Sequence, residues 1–259
     1  MSTDWRPQQL PRGGGRIRLE RQGELAELVL DHPQARNAVG PGMMADLGEA
    51  VDRLQQEPPR ALILRGEGSA AFCAGGDLAA VRGSLLGEGA AAGMQAFMSG
   101  CLDRVEALPC PVIGAVEGVA LGGGAELLMA CDVVVAGRSA RLGFVQARLG
   151  LSPGWGGGLR LLRRVGRRAS LRLLLEAEPL EAEAARGIGL VDEVVEDGEA
   201  AARARALALQ LTRHPPQAVA AALRLVRTGS ADEERAAFLE LWGGEAHRQA
   251  LASLRQGRR

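Results

Sequence analysis

Two glycine-bearing turns, Cys73-Ala74-Gly75-Gly76-Asp77 and Leu121-Gly122-Gly123-Gly124-Ala125-Glu126, each follow an apolar run and each precede a helical pattern. Strands that alternate with helices in this way argue for parallel pairing through crossovers, an α/β core built from βαβ units. Glycine also lets backbone approach a ligand closely, and unpaired N–H groups at a helix start carry partial positive charge. Either turn alone is well explained as a tight bend. Together they can aim two donors at one carbonyl oxygen, the arrangement of an oxyanion hole.

Periodicity sets out the elements. Strands are expected at Ile17–Glu20 and Leu25–Asp31 across a Gln22-Gly23 turn, then at 61–65, 112–116 and 132–136, while Ala71–Cys73 carries the chain into the first glycine turn. Helices are expected over Gly42–Gln56, Met94–Leu108 and from the second glycine turn through Ala130, with a small-residue linker at 87–93. After Pro153-Gly154-Trp155-Gly156-Gly157-Gly158 the pattern turns helical: Leu159–Leu175, Glu181–Arg186, Asp197–Thr212, Pro216–Thr228 and Asp232–Leu254, with one strand at 190–194. The chain divides into a flexible leader (1–15), an α/β core (16–195) and a C-terminal helical region (196–259).

Composition excludes several chemistries. At 259 residues and 47% hydrophobic the chain can bury one sizeable core, and its zero formal charge favours neither nucleic acid nor an acidic membrane. All 31 basic residues are arginine, and there is no tyrosine, so lysine Schiff bases, a P-loop lysine and tyrosine acids are ruled out. Cys73, Cys101, Cys110 and Cys131 lack C-x-x-C spacing and lie in or beside apolar segments, as expected of free thiols in a reducing cytoplasm. No stretch reaches the length of a membrane span. His32, His214 and His247 have no acid at relay spacing.

Arg36-Asn37-Ala38, Ala71-Phe72-Cys73-Ala74-Gly75-Gly76-Asp77-Leu78, Gly122-Gly123-Gly124-Ala125-Glu126-Leu127, Cys131-Asp132 and Pro153 followed by glycines occur in the order of the crotonase (enoyl-CoA hydratase/isomerase) superfamily, which the chain resembles from Ile17 to Leu254. The resemblance implies a spiral of ββα units with a C-terminal helical region used in trimerisation, an acyl-CoA substrate, and no metal or redox cofactor. It assigns the oxyanion hole to the N–H groups of Gly76 and Gly123 and a catalytic carboxylate to Glu126. It also implies a homotrimer or a hexamer built from two trimers.

The second catalytic glutamate of the hydratases falls on Gln146, and an amide cannot take a proton from water. Glu126 acting alone as a hydratase or isomerase residue is one reading. Phe144-Val145, Ser152-Pro153-Gly154-Trp155-Gly156-Gly157, Met43-Met44, Ala96-Phe97-Met98 and Leu241-Trp242-Gly243-Gly244 favour another, because they look like the ethylmalonyl-CoA decarboxylase branch of the superfamily. Loss of CO2 from a malonyl-type thioester yields the same enolate and needs no general base. A protonated Glu126 could then supply the proton, while an ionised one would repel the substrate carboxylate.

The substrate-binding candidates are Arg36 (CoA phosphates, or a surface ion pair), Ala38, Ala74, Gly75, Gly122 and Leu78. Asp77 suits a helix cap or a support for the oxyanion backbone. Trp155 and Trp242 suit an acyl pocket, or core and subunit contacts. A catalytically silent scaffold is the reading from another class, and retention of both glycine turns and Glu126 argues against it.

Overall fold

A computed structural model describes residues 5–80, 82–83 and 89–256, and the side chains only as far as 253. The expected hairpin forms between β1 (Arg16–Gln22) and β2 (Leu25–Asp31). Next come α1 (Pro41–Gln56), β3 (Ala61–Gly66), β4 (Ala71–Cys73), a short turn of helix α2 (Leu78–Ala80) and α3 (Ala90–Glu106). Two strand pairs follow: β5 (Val112–Val116) with β6 (Val119–Leu121), then, after α4 (Gly123–Leu128), β7 (Val133–Gly137) with β8 (Arg141–Gly143). A tight turn at 146–149 leads into α5 (Gly157–Glu176), β9 (Leu180–Glu181), α6 (Ala182–Gly187) and β10 (Glu193–Val195). The chain continues with α7 (Ala200–Leu211), α8 (Pro216–Thr228), α9 (Ala231–Leu241) and α10 (Glu245–Gln256).

The strands form two sheets, β1-β2-β3-β5-β7-β10 and β4-β6-β8-β9. β3 and β4, β5 and β6, and β7 and β8 each place one strand in the first sheet and the next in the second. The repeating unit is therefore ββα, as the resemblance implied, and not the βαβ unit read from periodicity. The second sheet escapes a periodicity reading because three residues are too few to display an alternation of two.

Alternation is clear in the first sheet, which is buried on both faces. Leu62, Leu64, Val112, Val116, Val134 and Ala136 point into the main core with the apolar face of α1 (Met43, Met44, Leu47, Val51, Leu54). Ala61, Ile63, Ile113, Ala115 and Val135 point the other way, onto Ala200, Ala204 and Ala208 of α7. Alanine every fourth residue gives α7 a flat stripe that lies close to the sheet.

Residues 1–4 of the expected leader and residues 87–88 of the expected linker lie outside the described residues. Trp5 meets Phe97 of α3 edge to face at 6.1 Å, Pro7 is buried, and Gly42 N–H donates to Arg12 O, so residues 5–15 lie on the core. α3 begins at Ala90, earlier than the expected Met94. The expected 232–254 helix is broken at Trp242-Gly243-Gly244, where Gly243 takes φ 72°, a left-handed conformation that ends helices. No helix among the described residues is long and apolar enough to cross a membrane.

Candidate active site

The two glycine turns meet at the C-terminal ends of β4 and β6. The segment 36–39 zips onto the first turn: Ala74 N–H donates to Arg36 O, Val39 N–H to Gly75 O and Asp77 N–H to Val39 O. Asn37 anchors that segment from inside. Fully buried, it accepts from His32 N–H at 2.8 Å and donates to Glu67 O and Ala71 O, which holds it and Arg36 at positive φ. A Cβ at Gly75 (φ 105°) would stand 3.0 Å from Leu121 O and 3.4 Å from Gly123 N, so glycine lets the turns touch. Gly122 takes φ 53° and ψ −117° and donates to Gly143 O on β8.

Among the described residues, neither the Gly76 nor the Gly123 N–H has a protein acceptor. Gly123 opens α4, where the first N–H groups have no partner one turn back. The indole of Trp155, 4% exposed, packs over both positions: a Cβ on Gly123 would overlap its six-membered ring, and one on Gly76 would stand 3.9 Å from Cζ2.

Glu126 lies in α4, one turn beyond Gly122, and is 2% exposed. Four donors converge on its carboxylate: Gln146 Nε2 (2.9 Å) and Gly154 N–H (3.1 Å) on Oε1, Trp155 N–H (2.7 Å) and Gly157 N–H (2.9 Å) on Oε2. Burial raises the Glu126 pKa above the ordinary carboxylate value, and the four hydrogen bonds offset part of that rise. A Cβ on Gly157 would overlap Glu126 itself, so glycine at this position lets its N–H reach the carboxylate.

The structure therefore gathers Gly75, Gly76, Gly122, Gly123, Glu126, Gln146 and Trp155. Ala38 and Ala74 lie on the paired segments beside them, and Leu78 is exposed on α2. Asp77 caps α2, its Oδ1 accepting from Ala79 N–H at 2.8 Å. Arg36 is exposed and makes no ion pair among the described residues, leaving its charge available. Trp242 lies at the α9–α10 break, in tilted ring contact with Phe238 and His247. Sequence reasoning missed Asn37 as an anchor and Gly154 and Gly157 as donors. The glycine run after Pro153 was their only signal.

A family model described as enoyl-CoA hydratase/isomerase matches residues 20–241 of this chain. The chain belongs to the enoyl-CoA hydratase/isomerase family. Ethylmalonyl-CoA decarboxylase of Danio rerio is 37% identical to it, over 93% of this chain and 84% of that protein. Short-chain-enoyl-CoA hydratase of Clostridium acetobutylicum is 31% identical, over 93% of this chain and 95% of that one. The crystal structure of an enoyl-CoA hydratase from Polaromonas sp. JS666 matches with a TM-score of 0.86 and 31% identity, covering 95% of this chain and 98% of that chain. The molecule is thus a crotonase-superfamily enzyme of acyl-CoA chemistry.

Proposed function

We propose that this enzyme decarboxylates a malonyl-type CoA thioester, ethylmalonyl- or methylmalonyl-CoA. The observation that carries the reading is the pairing of Glu126 with an amide. Water-adding members of the superfamily need a proton acceptor on each side of one water. Here the second position holds Gln146, and its Nε2 is already given to Glu126 Oε1. Decarboxylation asks for no base.

The thioester carbonyl accepts from Gly76 and Gly123 N–H. The electron pair of the breaking C–C bond flows onto that oxygen as CO2 leaves, and two oriented donors stabilise the charge where it develops. The enolate carbon then takes a proton from Glu126, which burial keeps protonated to higher pH than an exposed carboxyl. CoA is part of the substrate, and no other cofactor enters. Arg36 is the candidate for its phosphates. The enzyme acts as a trimer or hexamer, with the exposed apolar side chains of its last helices as subunit contacts.

Hydration or isomerisation by Glu126 alone is the second reading, favoured by the relatives named as hydratases. Two variants separate the readings. Glu126→Gln should lower CO2 release by about 10² to 10⁴, the loss expected for a general acid. Gln146→Glu should leave CO2 release no faster and raise hydration of crotonyl-CoA. A Gln146→Glu enzyme that decarboxylates faster than wild type would contradict the proposal.

A further inference from the structure

Gln146 Oε1 is buried and has no hydrogen-bond partner among the described residues. Its carboxamide carbon stands 4.0 Å from where a Cβ of Gly122 would lie, so the orphaned oxygen belongs to the wall beside the turn that presents Gly123. A buried acceptor left unpaired is costly, and one that stands beside the reacting groups is a candidate for a catalytic or ligand-binding role.

A carboxamide has an acceptor end and a donor end that exchange by rotation about one bond. While Glu126 is ionised, only Nε2 can face its Oε1, and the acceptor end is turned away from the carboxylate. Once Oε1 carries a proton, the acid O–H needs an acceptor and the amide turns over. Oε1 of Gln146 then accepts from Glu126, whose oxygen keeps a lone pair for Gly154 N–H, and the two N–H groups of Nε2 point away from the carboxylate. An acceptor that would repel an anion becomes a donor that holds one.

We propose that Gln146 is a specificity residue that couples the proton on Glu126 to the carboxylate of the substrate, admitting carboxylated thioesters together with one proton. This rests on the decarboxylase reading and deepens it. The proton taken up on binding is the one the enolate needs. CO2 leaves as a neutral molecule, the Glu126 O–H bond breaks as the Cα–H bond forms, and the regenerated carboxylate draws Nε2 back. The thioester has gained one proton and lost one CO2, and the next proton comes from water.

Few other charges face Glu126. Of the elements packed on α4, β6 carries no titratable group, and β4 carries Cys73, whose thiol burial pushes up to about 12. Arg148, on the 146–149 turn, pairs with Glu178. On α5, Arg160 pairs with Asp103 and Glu106, Arg163 with Glu106, and Arg164 with Asp192. Arg167, Arg168, Arg172 and Glu176 lie beyond its break at Gly166.

The test uses two unreactive thioethers, S-(2-carboxybutyl)-CoA and S-butyl-CoA, titrated calorimetrically into the enzyme at pH 7 to 8 in buffers of different ionisation enthalpy. Wild type should take up more protons with the carboxylated thioether than with S-butyl-CoA. Gln146→Met should abolish that difference and weaken the carboxylated ligand about tenfold, the loss of a charge-assisted hydrogen bond, with S-butyl-CoA affinity within twofold. Equal proton uptake for both ligands in wild type, or unchanged carboxylate affinity in a folded Gln146→Met, would overturn the coupling. An enzyme that releases CO2 from ethylmalonyl-CoA without extra proton uptake loses this inference alone, whereas one that releases none loses the decarboxylase reading itself.

Discussion

A methyl group on Gly123 would overlap the Trp155 ring, whereas one on Gly76 would meet the same ring at ordinary contact. Both positions keep their N–H as alanine, so the same substitution should act differently at the two. Gly76→Ala should leave thermal stability near wild type, and Gly123→Ala should lower it by about 1–3 kcal/mol, the usual cost of overpacking. Equal melting temperatures would contradict the placement of Trp155. Proline at 123 carries the same Cβ within a larger ring and also removes the N–H, so turnover by Gly123→Pro should fall at least about 10² below that of Gly123→Ala. Glu126→Ala strands the buried N–H groups of Trp155 and Gly157, at about 1–3 kcal/mol each, and should unfold at lower temperature than Glu126→Gln. In the pH profile, a Glu126 proton donor is active below its raised pKa and fails as pH rises through it. A carboxylate acting by repulsion would fail in the opposite direction, as pH falls. Glu126 itself was legible, because Gly-Gly-Gly-Ala-Glu carries a side-chain signal. Its three backbone donors were not, since an N–H group looks alike in every residue but proline.

Packing of α7 on the first sheet depends on Ala200, Ala204 and Ala208, all fully buried. Ala204→Leu should therefore destabilise the fold by about 1–3 kcal/mol, measured by denaturant unfolding, and a neutral result would refute the close approach. The same layer is tied electrostatically. Burial alone would raise the pKa of Glu27 on β2, yet Arg205 of α7 and Arg65 of β3 hydrogen-bond its carboxylate and hold it below the ordinary value. A depressed carboxylate pKa contributes stability at pH above 4.5 that is lost as pH falls through the folded-state value. Glu27→Gln should shrink the loss of stability on acidification. Helix α1 was legible because it shows its period over many residues, and strand β2 because its apolar run follows the Gln22-Gly23 turn signal. β4, β6, β8 and β9 were not, because two or three residues become a strand only through a neighbour that the sequence does not name.

Across the whole molecule, the spiral sets the ends of β4 and β6 side by side and so brings together Gly76 and Gly123, residues distant in the chain. The topology was reachable only through motif resemblance, since alternating strands and helices fit βαβ and ββα units alike. The last helices leave an apolar groove of about 730 Å³ between α8, α9 and α10, with Phe238 58% and Trp242 66% exposed. Patches of such side chains mark association surfaces, and light scattering at micromolar concentration should give a trimer or hexamer; a monomer would contradict that expectation. The central claim is that Glu126 paired with an amide serves decarboxylation. It is tested most directly by giving the wild-type enzyme ethylmalonyl-CoA and crotonyl-CoA side by side, following CO2 release from one and hydration of the other. CO2 release with a kcat/KM well above that for hydration is the expected result, and efficient hydration with no CO2 released would contradict it.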